Sequence, residues 1–558
     1  MSTPGSTRHL VRDLGIIVIF VLATMMPFIN MPVHMDDPTH LEFARVQVEH
    51  PFQQDIPGYI YFGQYFESFR DTHPRGHSLL LSLILRADPS EDEAPMHATF
   101  LVFPLIAGIS MYFLARRFDA PPLLSALLLM AAPVVLVTFH SLMTDPPGMS
   151  MWLASVTAYI YGSDRRSMLL LAAATIFLLI GTFISYQVLS VIPLLMAYML
   201  LKRRRSLAEI VPLAVPAAAF VLSALATRWQ YGEWPMFSYR TGLRVMPSDM
   251  LRKGRGILVI LGGVIVVPWV AWFAFIRKKP DLFMAMAATA VATAIALPFY
   301  LSDDLTPNQL ILTILFAPVS ALIFWRLCWG TMAPRMKSDD VFLALWSGGV
   351  LSYCLVILPY ASPRYLLPLA PPVVLLAARG LKQLSRSNGT AFGIIGAIAV
   401  LATLALSVPV AIADYDRAES YRTIARDMGE RYSAPGRTIW FDGDLGFRYY
   451  MEKAGFRILG PDDDSPKPGD IIIWANLAHA WDLSPQLMER SIVADTIQIY
   501  GRLPLVTLNY KDESGIYGHR NVMVPFAFTR DFSELFFVLE VVRPEQPASG
   551  PAGQIALP

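Results

Sequence analysis

Two adjacent carboxylates, Asp36 and Asp37, follow directly on a long apolar run, in the stretch His34-Met-Asp-Asp-Pro-Thr-His-Leu-Glu-Phe-Ala-Arg45. Acids beside lipid are costly to keep charged, so they signal a chemical or binding task. A carboxylate there can take the proton of an attacking hydroxyl, the work of a general base. The structural alternative is that the pair caps a helix starting near Pro38, since acids favour helix N-termini. Asp145, in Met143-Thr-Asp-Pro-Pro147, poses the same choice between an acid for chemistry and a cap. Cations that can meet an anion are Arg364, in Ser362-Pro-Arg-Tyr-Leu-Leu-Pro368, Arg75, in Thr72-His-Pro-Arg-Gly76, and the arginines of 228–255, Arg240 and Arg244 among them. Arg364 and Arg75 also suit plain interface charges. His73 is either a turn residue before Pro74 or a ligand for phosphate. With Glu67 it is also open as a holder of a divalent metal, although the spacing matches no metal signature and Glu67 suits an ordinary loop acid.

The elements that position these residues are membrane spans. Of 558 residues 54% are hydrophobic and 16% charged, with a mean hydropathy of +0.45, far from the balance of a soluble domain. A net charge of +1 gives a nucleic-acid partner no electrostatic support. The two cysteines, Cys328 and Cys354, suggest neither a disulfide framework nor a thiolate metal site. Apolar runs at 14–31, 97–115, 121–139, 146–162, 167–183, 185–201, 207–227, 256–276, 281–300, 309–327, 341–359, 364–379 and 391–413 predict about thirteen crossings of roughly 30 Å of hydrocarbon.

Basic loops set the orientation. Arg116-Arg117, Arg165-Arg166, Lys202 to Arg205 and Arg277 to Lys279 share one side, which is expected to be cytoplasmic together with the N-terminus. The opposite, periplasmic side then holds the first outer loop, about residues 32–95, the 228–255 loop and the C-terminus. The first run reads as a retained span rather than a cleavable signal. The 228–255 loop is basic on the wrong side for this rule, which points to an anionic partner, either lipid headgroups or a phosphorylated substrate. The first outer loop carries two amphipathic segments, 38–50 and 77–86, expected to lie along the interface. Between them Tyr59, Tyr61, Phe62, Tyr65, Phe66 and Phe69 read as an aromatic belt at headgroup depth. After 413 the chain becomes mixed and charged: a helix at 417–431, strands at 438–441 and 471–474, a helix at 447–454 and further strand-like runs at 496–500, 505–508 and 535–542 predict a small α/β domain. The expected fold is thus an α-helical polytopic membrane domain, 1–413, followed by an extracytoplasmic α/β domain, 414–558.

A first span followed by Asp-Asp-Pro and an amphipathic helix, then Thr72-His-Pro-Arg-Gly76, Met143-Thr-Asp-Pro-Pro147 and Ser362-Pro-Arg-Tyr, resembles the C-type (GT-C) membrane glycosyltransferases. The closer likeness is to the branch of protein O-mannosyltransferases and aminoarabinose lipid A transferases, whose first outer loop opens with Asp-Glu and closes with His-Pro-Pro or Lys-Pro-Pro. Here the pair is Asp-Asp, and Arg75 stands at the second proline. The resemblance implies an inner-membrane enzyme that moves a sugar from a polyprenyl-phosphate donor to a hydroxyl acceptor, with inversion and without a nucleotide. It assigns the base to Asp36, places Asp37 at the Glu position, and makes Asp145 a second acid that orients the acceptor or balances charge. His73, Arg75, Arg364, Arg240 and Arg244 would meet the lipid phosphate. Two other classes stay open: a transporter or flippase of a lipid-linked or small polar substrate, and a non-catalytic scaffold. Acids gathered at one surface, with largely apolar spans and no internal repeat, weigh against the transporter.

Overall fold

The computed structural model describes residues 4–543 apart from 71–72, 204–205, 233, 235–246, 333–336, 385–388, 461–462, 479–482 and 519–521. Arg240 and Arg244 therefore lie outside the described residues. Each of the expected apolar runs falls on a helix or on two helices in tandem. Among the described residues eight helices are long and apolar enough to cross a membrane, or nine if Ser248–Val264 and Pro268–Phe275, bent by 85° at their junction, count as one span. The protein is a multi-pass membrane protein, built mostly of helices with a β-containing C-terminal region.

Breaks between helices have local causes. Pro133 starts a new helix after Pro122–Ala131 because it cannot donate a ladder hydrogen bond. Ser185 adopts extended backbone between Met168–Ile184 and the turn Tyr186–Ser190, which divides the 167–201 stretch into two helices. The last apolar run does not end where its hydropathy does. Helix Gly389–Tyr432 contains 44 residues and is about 66 Å long at 1.5 Å per residue, more than twice the hydrocarbon thickness. The separate helix expected at 417–431 is the continuation of this one, because neither Gly nor Pro interrupts 410–428, and the expected domain boundary at 413/414 lies inside it.

The C-terminal half of that helix packs on a five-stranded sheet. In spatial order the strands are Arg457–Ile458, Ile439–Asp442, Ile471–Ala475, Glu534–Val541 and Ser491–Ile499; the first three run parallel and the last two join antiparallel. Tyr421 of the long helix meets Phe447 and Phe536, with centroids 6.1 and 6.4 Å away. This apolar contact makes the long helix part of the core of the β-containing C-terminal region.

The aromatics between residues 55 and 70 lie on a β-hairpin. Strands Asp55–Tyr61 and Gln64–Arg70 pair antiparallel as a hairpin, with Tyr59 opposite Phe66 and Ile56 opposite Phe69. Gly63 at φ 72° and Phe62 at φ 43° make the two-residue turn. Ile56, Tyr59 and Phe69 are buried in a cluster with Phe43 of helix Asp37–Glu49. Alternating β-branched and aromatic residues support a strand as well as a headgroup anchor, and here the strand wins. The hairpin tip reaches the C-terminal region: Phe62 N–H donates to Asp444 Oδ2 at 2.8 Å, and the Arg448 guanidinium stacks 4.2 Å from the Tyr59 ring centre.

Helix Leu445–Lys453 presses directly on the acidic loop. A Cβ at Gly446 would lie 2.5 Å from Val33 O and 2.9 Å from His34 Cα, so only glycine permits this approach. Gly446→Val is expected to destabilise the protein by about 1–3 kcal/mol through overpacking. Thermal melting of the purified protein in detergent checks this, with a melting temperature equal to wild type as the contrary result.

Candidate active site

The chain from the first span to helix Asp37–Glu49 turns sharply at Met35, whose φ of 52° is unusual for a residue with a side chain. Asp36 and Asp37 leave that turn in different directions. The Asp36 carboxylate stands at the N-cap position but makes no capping hydrogen bond, so capping does not account for it. Its side chain is 25% exposed and lies 3.1 Å from Arg364 Nη1. Asp37 is fully buried; its Oδ2 accepts the His34 backbone N–H at 3.3 Å and lies 3.3 Å from His34 Nδ1.

Arg364 sits in the short helix Pro363–Leu369, where Pro363 starts the turn. Its Nη1 is also 3.7 Å from Asp145 Oδ2, at the first residue of helix Asp145–Arg165. One guanidinium thus meets two carboxylates contributed by residues far apart in the chain. All three line one cavity of about 280 Å3, together with His40, His73 and Tyr517. A narrower cleft lined by Asp145 and Arg364 runs past Met149, Trp152, Val188 and Leu367. Charge lies at the head of an apolar passage, an arrangement suited to a lipid carrying an anionic group.

Burial alone would raise the Asp36 carboxyl. Arg364, with His40 and His73, outweighs it and holds Asp36 below the usual carboxylate range. Asp36 is therefore ionised at neutral pH and able to accept a proton. His34 shows a related balance at a fully buried position. Burial pulls the imidazolium down, but the carboxylates of Asp37 and Asp414 outweigh it and raise its pKa to about 9. A folded-state pKa above the unfolded value of about 6.5 gives stability that is complete below that value and lost as pH rises through about 9. Wild type should accordingly lose melting temperature between pH 7 and pH 10, whereas His34→Gln, lower throughout, should show a flatter profile. Parallel profiles would remove His34 from this role.

The remaining expected residues divide. His73 lines the cavity and packs edge-on against His40, whose ring also meets His77. Arg75 stands 5.6 Å from the Phe52 ring centre and lines a small adjoining cavity with His73 and Arg70. Glu67 lies on the exposed face of the hairpin and is not among the residues lining either cavity. Among the described residues no group of three or more His, Cys, Asp or Glu could hold a metal ion. In the 228–255 loop, Arg252 finds an anionic partner within the chain, Glu513 at 2.7 Å, and Lys253 donates to Leu358 O at 2.9 Å. Both lie in helix Pro247–Val264, and among the described residues only Arg252 of the two has its charge answered by a carboxylate within the chain.

His40, Tyr517 and Asp414 were not singled out by the sequence. His40 had a local signal, four residues after Asp36 on the same helical face. Tyr517 and Asp414 had none, because only the fold brings them to residue 34.

A family model described as dolichyl-phosphate-mannose-protein mannosyltransferase matches residues 72–230. No curated protein matches by sequence. Among solved structures, ArnT from Cupriavidus metallidurans bound to undecaprenyl phosphate is 14% identical, with 97% of this chain and 99% of that one covered and a TM-score of 0.48. The oligosaccharyltransferase of Archaeoglobus fulgidus, in complex with Zn and sulfate, is 12% identical over 80% of this chain and 62% of its own, at a TM-score of 0.48. Arabinofuranosyltransferase AftD from Mycobacteria is 10% identical over 97% of this chain and 40% of its own, at a TM-score of 0.41. Through the matched segment and the motifs around it, this chain is similar to the dolichyl-phosphate-mannose-protein mannosyltransferase branch of the C-type membrane glycosyltransferases.

Proposed function

We propose that this protein is a membrane glycosyltransferase that moves a sugar from a polyprenyl-phosphate donor to a hydroxyl acceptor on the periplasmic face of the inner membrane. The observation that carries it is the placement of Arg364 between Asp36 and Asp145 in one cavity, which joins a proton acceptor to a phosphate-binding cation. In this reading Asp36 takes the acceptor's proton as its oxygen attacks the anomeric carbon. The bond to the phosphate breaks at the same centre, and the leaving phosphate is met by Arg364, with His73, Arg75, Arg240 and Arg244 as further cations. Asp145 balances the arginine and orients the acceptor. Asp37 holds the loop from below.

The basic loops at Arg116-Arg117, Arg165-Arg166, Lys202 to Arg205 and Arg277 to Lys279 support the orientation, with the N-terminus cytoplasmic and the domain from about 414 periplasmic. The likeness of residues 72–230 to mannosyltransferases supports a phosphate-linked sugar as donor. The experiment is reconstitution in vesicles with a panel of labelled polyprenyl-phosphate sugars and extracts containing candidate acceptors. Label leaving the polyprenyl phosphate for a new product supports the enzyme. Label that crosses the bilayer while still attached to the lipid would favour a flippase instead.

A further inference from the structure

The segment Ile516–Tyr517 holds the backbone of Arg364 and, by way of Asp414 and His34, reaches the loop that carries Asp36. On one side Ser362 Oγ donates to Ile516 O at 3.1 Å and to Tyr517 O at 2.7 Å, and the Arg364 backbone N–H donates to Ile516 O at 3.3 Å. These bonds fasten the turn that carries Arg364. On the other side the Tyr517 hydroxyl lies 3.2 Å from Asp414 Oδ2 and 3.3 Å from Val137 O, and the charged oxygen is the stronger acceptor.

Asp414 continues the connection to the acidic loop. Its Oδ2 is 3.4 Å from His34 Nε2, and the other ring nitrogen of His34 is 3.3 Å from Asp37 Oδ2. The Tyr517 ring stands edge-on to the His34 ring, with centroids 5.4 Å apart. His34, Asp37 and Asp414 are all buried, so charge-assisted hydrogen bonds among them act in a medium of low dielectric. Met35 and Asp36 lie between His34 and Asp37, spanned by this fixed pair. The backbone that presents Asp36 and the backbone that presents Arg364 are therefore tied to the same two residues.

From this we infer that Tyr517 and His34 are positioning residues, which set the spacing between Asp36 and Arg364 and thereby align the base with the leaving phosphate. The domain that carries Tyr517 then governs the rate of transfer through the placement of Asp36 and Arg364. The inference rests on the glycosyltransferase reading and deepens it. A displacement of about 1 Å in such a constellation costs about 100-fold in rate, and a hydroxyl removed from a buried carboxylate is enough to allow one.

Tyr517→Phe isolates the effect. It keeps the ring, its edge contact and both backbone carbonyls, and removes only the hydroxyl. Expected is a fall in kcat of about 10- to 100-fold, with KM and the affinity for sugar-free polyprenyl phosphate near wild type and the melting temperature lowered by the loss of one buried hydrogen bond. Tyr500→Phe, at an exposed hydroxyl far from the loop, serves as control and should leave all four unchanged. If Tyr517→Phe does not fold, Thr507→Val takes its place, since Thr507 Oγ1 donates to Asp414 Oδ1 at 3.0 Å. Wild-type kcat in the variant would overturn the inference, and so would a loss of kcat matched by equal losses of binding and thermal stability. A wild-type protein that transfers no sugar from any donor would overturn the glycosyltransferase reading itself, a result separate from either.

Discussion

Asp36→Asn is expected to remove sugar transfer, lowering kcat by about 100- to 10,000-fold, the usual worth of a general base. The amide keeps the size of the side chain and an oxygen to accept from Arg364, but it cannot take a proton. Helix Asp37–Glu49 should survive the change, because Asp36 makes no capping bond to lose. Asp37→Asn should behave differently: that residue is buried against His34 and turned away from the cavity, so its first loss is stability. Initial rates of labelled-sugar transfer, with melting temperatures alongside, separate the two. The pH profile adds a sign. Because Arg364 and the two histidines hold Asp36 below its ordinary range, activity needing the carboxylate should persist as pH falls to about 4, the unperturbed value for an aspartate, and be lost only below it. An acid limb near pH 6 in wild type would exclude Asp36 as that group.

The second large effect is expected from Arg364→Gln. Two carboxylates, at 3.1 and 3.7 Å, lose the cation they share. Charge-assisted bonds of this kind contribute about 1.5–3 kcal/mol each, and here the guanidinium is only 12% exposed. Affinity for polyprenyl phosphate should fall by at least about 10-fold, equivalent to 1.4 kcal/mol. Asp36 loses its main counter-charge, so burial dominates, its carboxyl rises, and the acid limb of whatever activity remains moves to higher pH. Binding of fluorescent polyprenyl phosphate to the reconstituted protein, with the pH profile of residual transfer, measures both. Unchanged binding and an unchanged limb would remove Arg364 from the site.

How much of this was visible in the chain depended on the range of each interaction. The spans were legible because twenty or so apolar residues are needed to cross lipid whatever surrounds them. Asp36, Asp145 and Arg364 were legible as neighbours of helix starts, Asp145 and Arg364 directly beside a proline and Asp36 two residues before one. The hairpin at 55–70 was not legible because Tyr and Phe at alternating positions suit a strand and a headgroup anchor equally, and only Phe43 beneath it decides between them. The helix runs on through the expected junction at 413/414 because hydropathy changes there while helix propensity does not. His34 stood in plain view beside the acids, yet its importance comes from Asp414 and Tyr517, nearly four hundred residues or more away. Burial is what gives such a pair its weight, and burial belongs to the fold.

The most direct measurement is single-turnover release of free polyprenyl phosphate from a labelled donor, by wild type, Asp36→Asn and Asp37→Asn in equal folded amounts. The account predicts a burst of release with sugar transfer in wild type, none above background in Asp36→Asn, and a reduced but measurable burst in Asp37→Asn. A burst in Asp36→Asn as large as in wild type would contradict the account, as would failure of wild type to release the lipid from any donor.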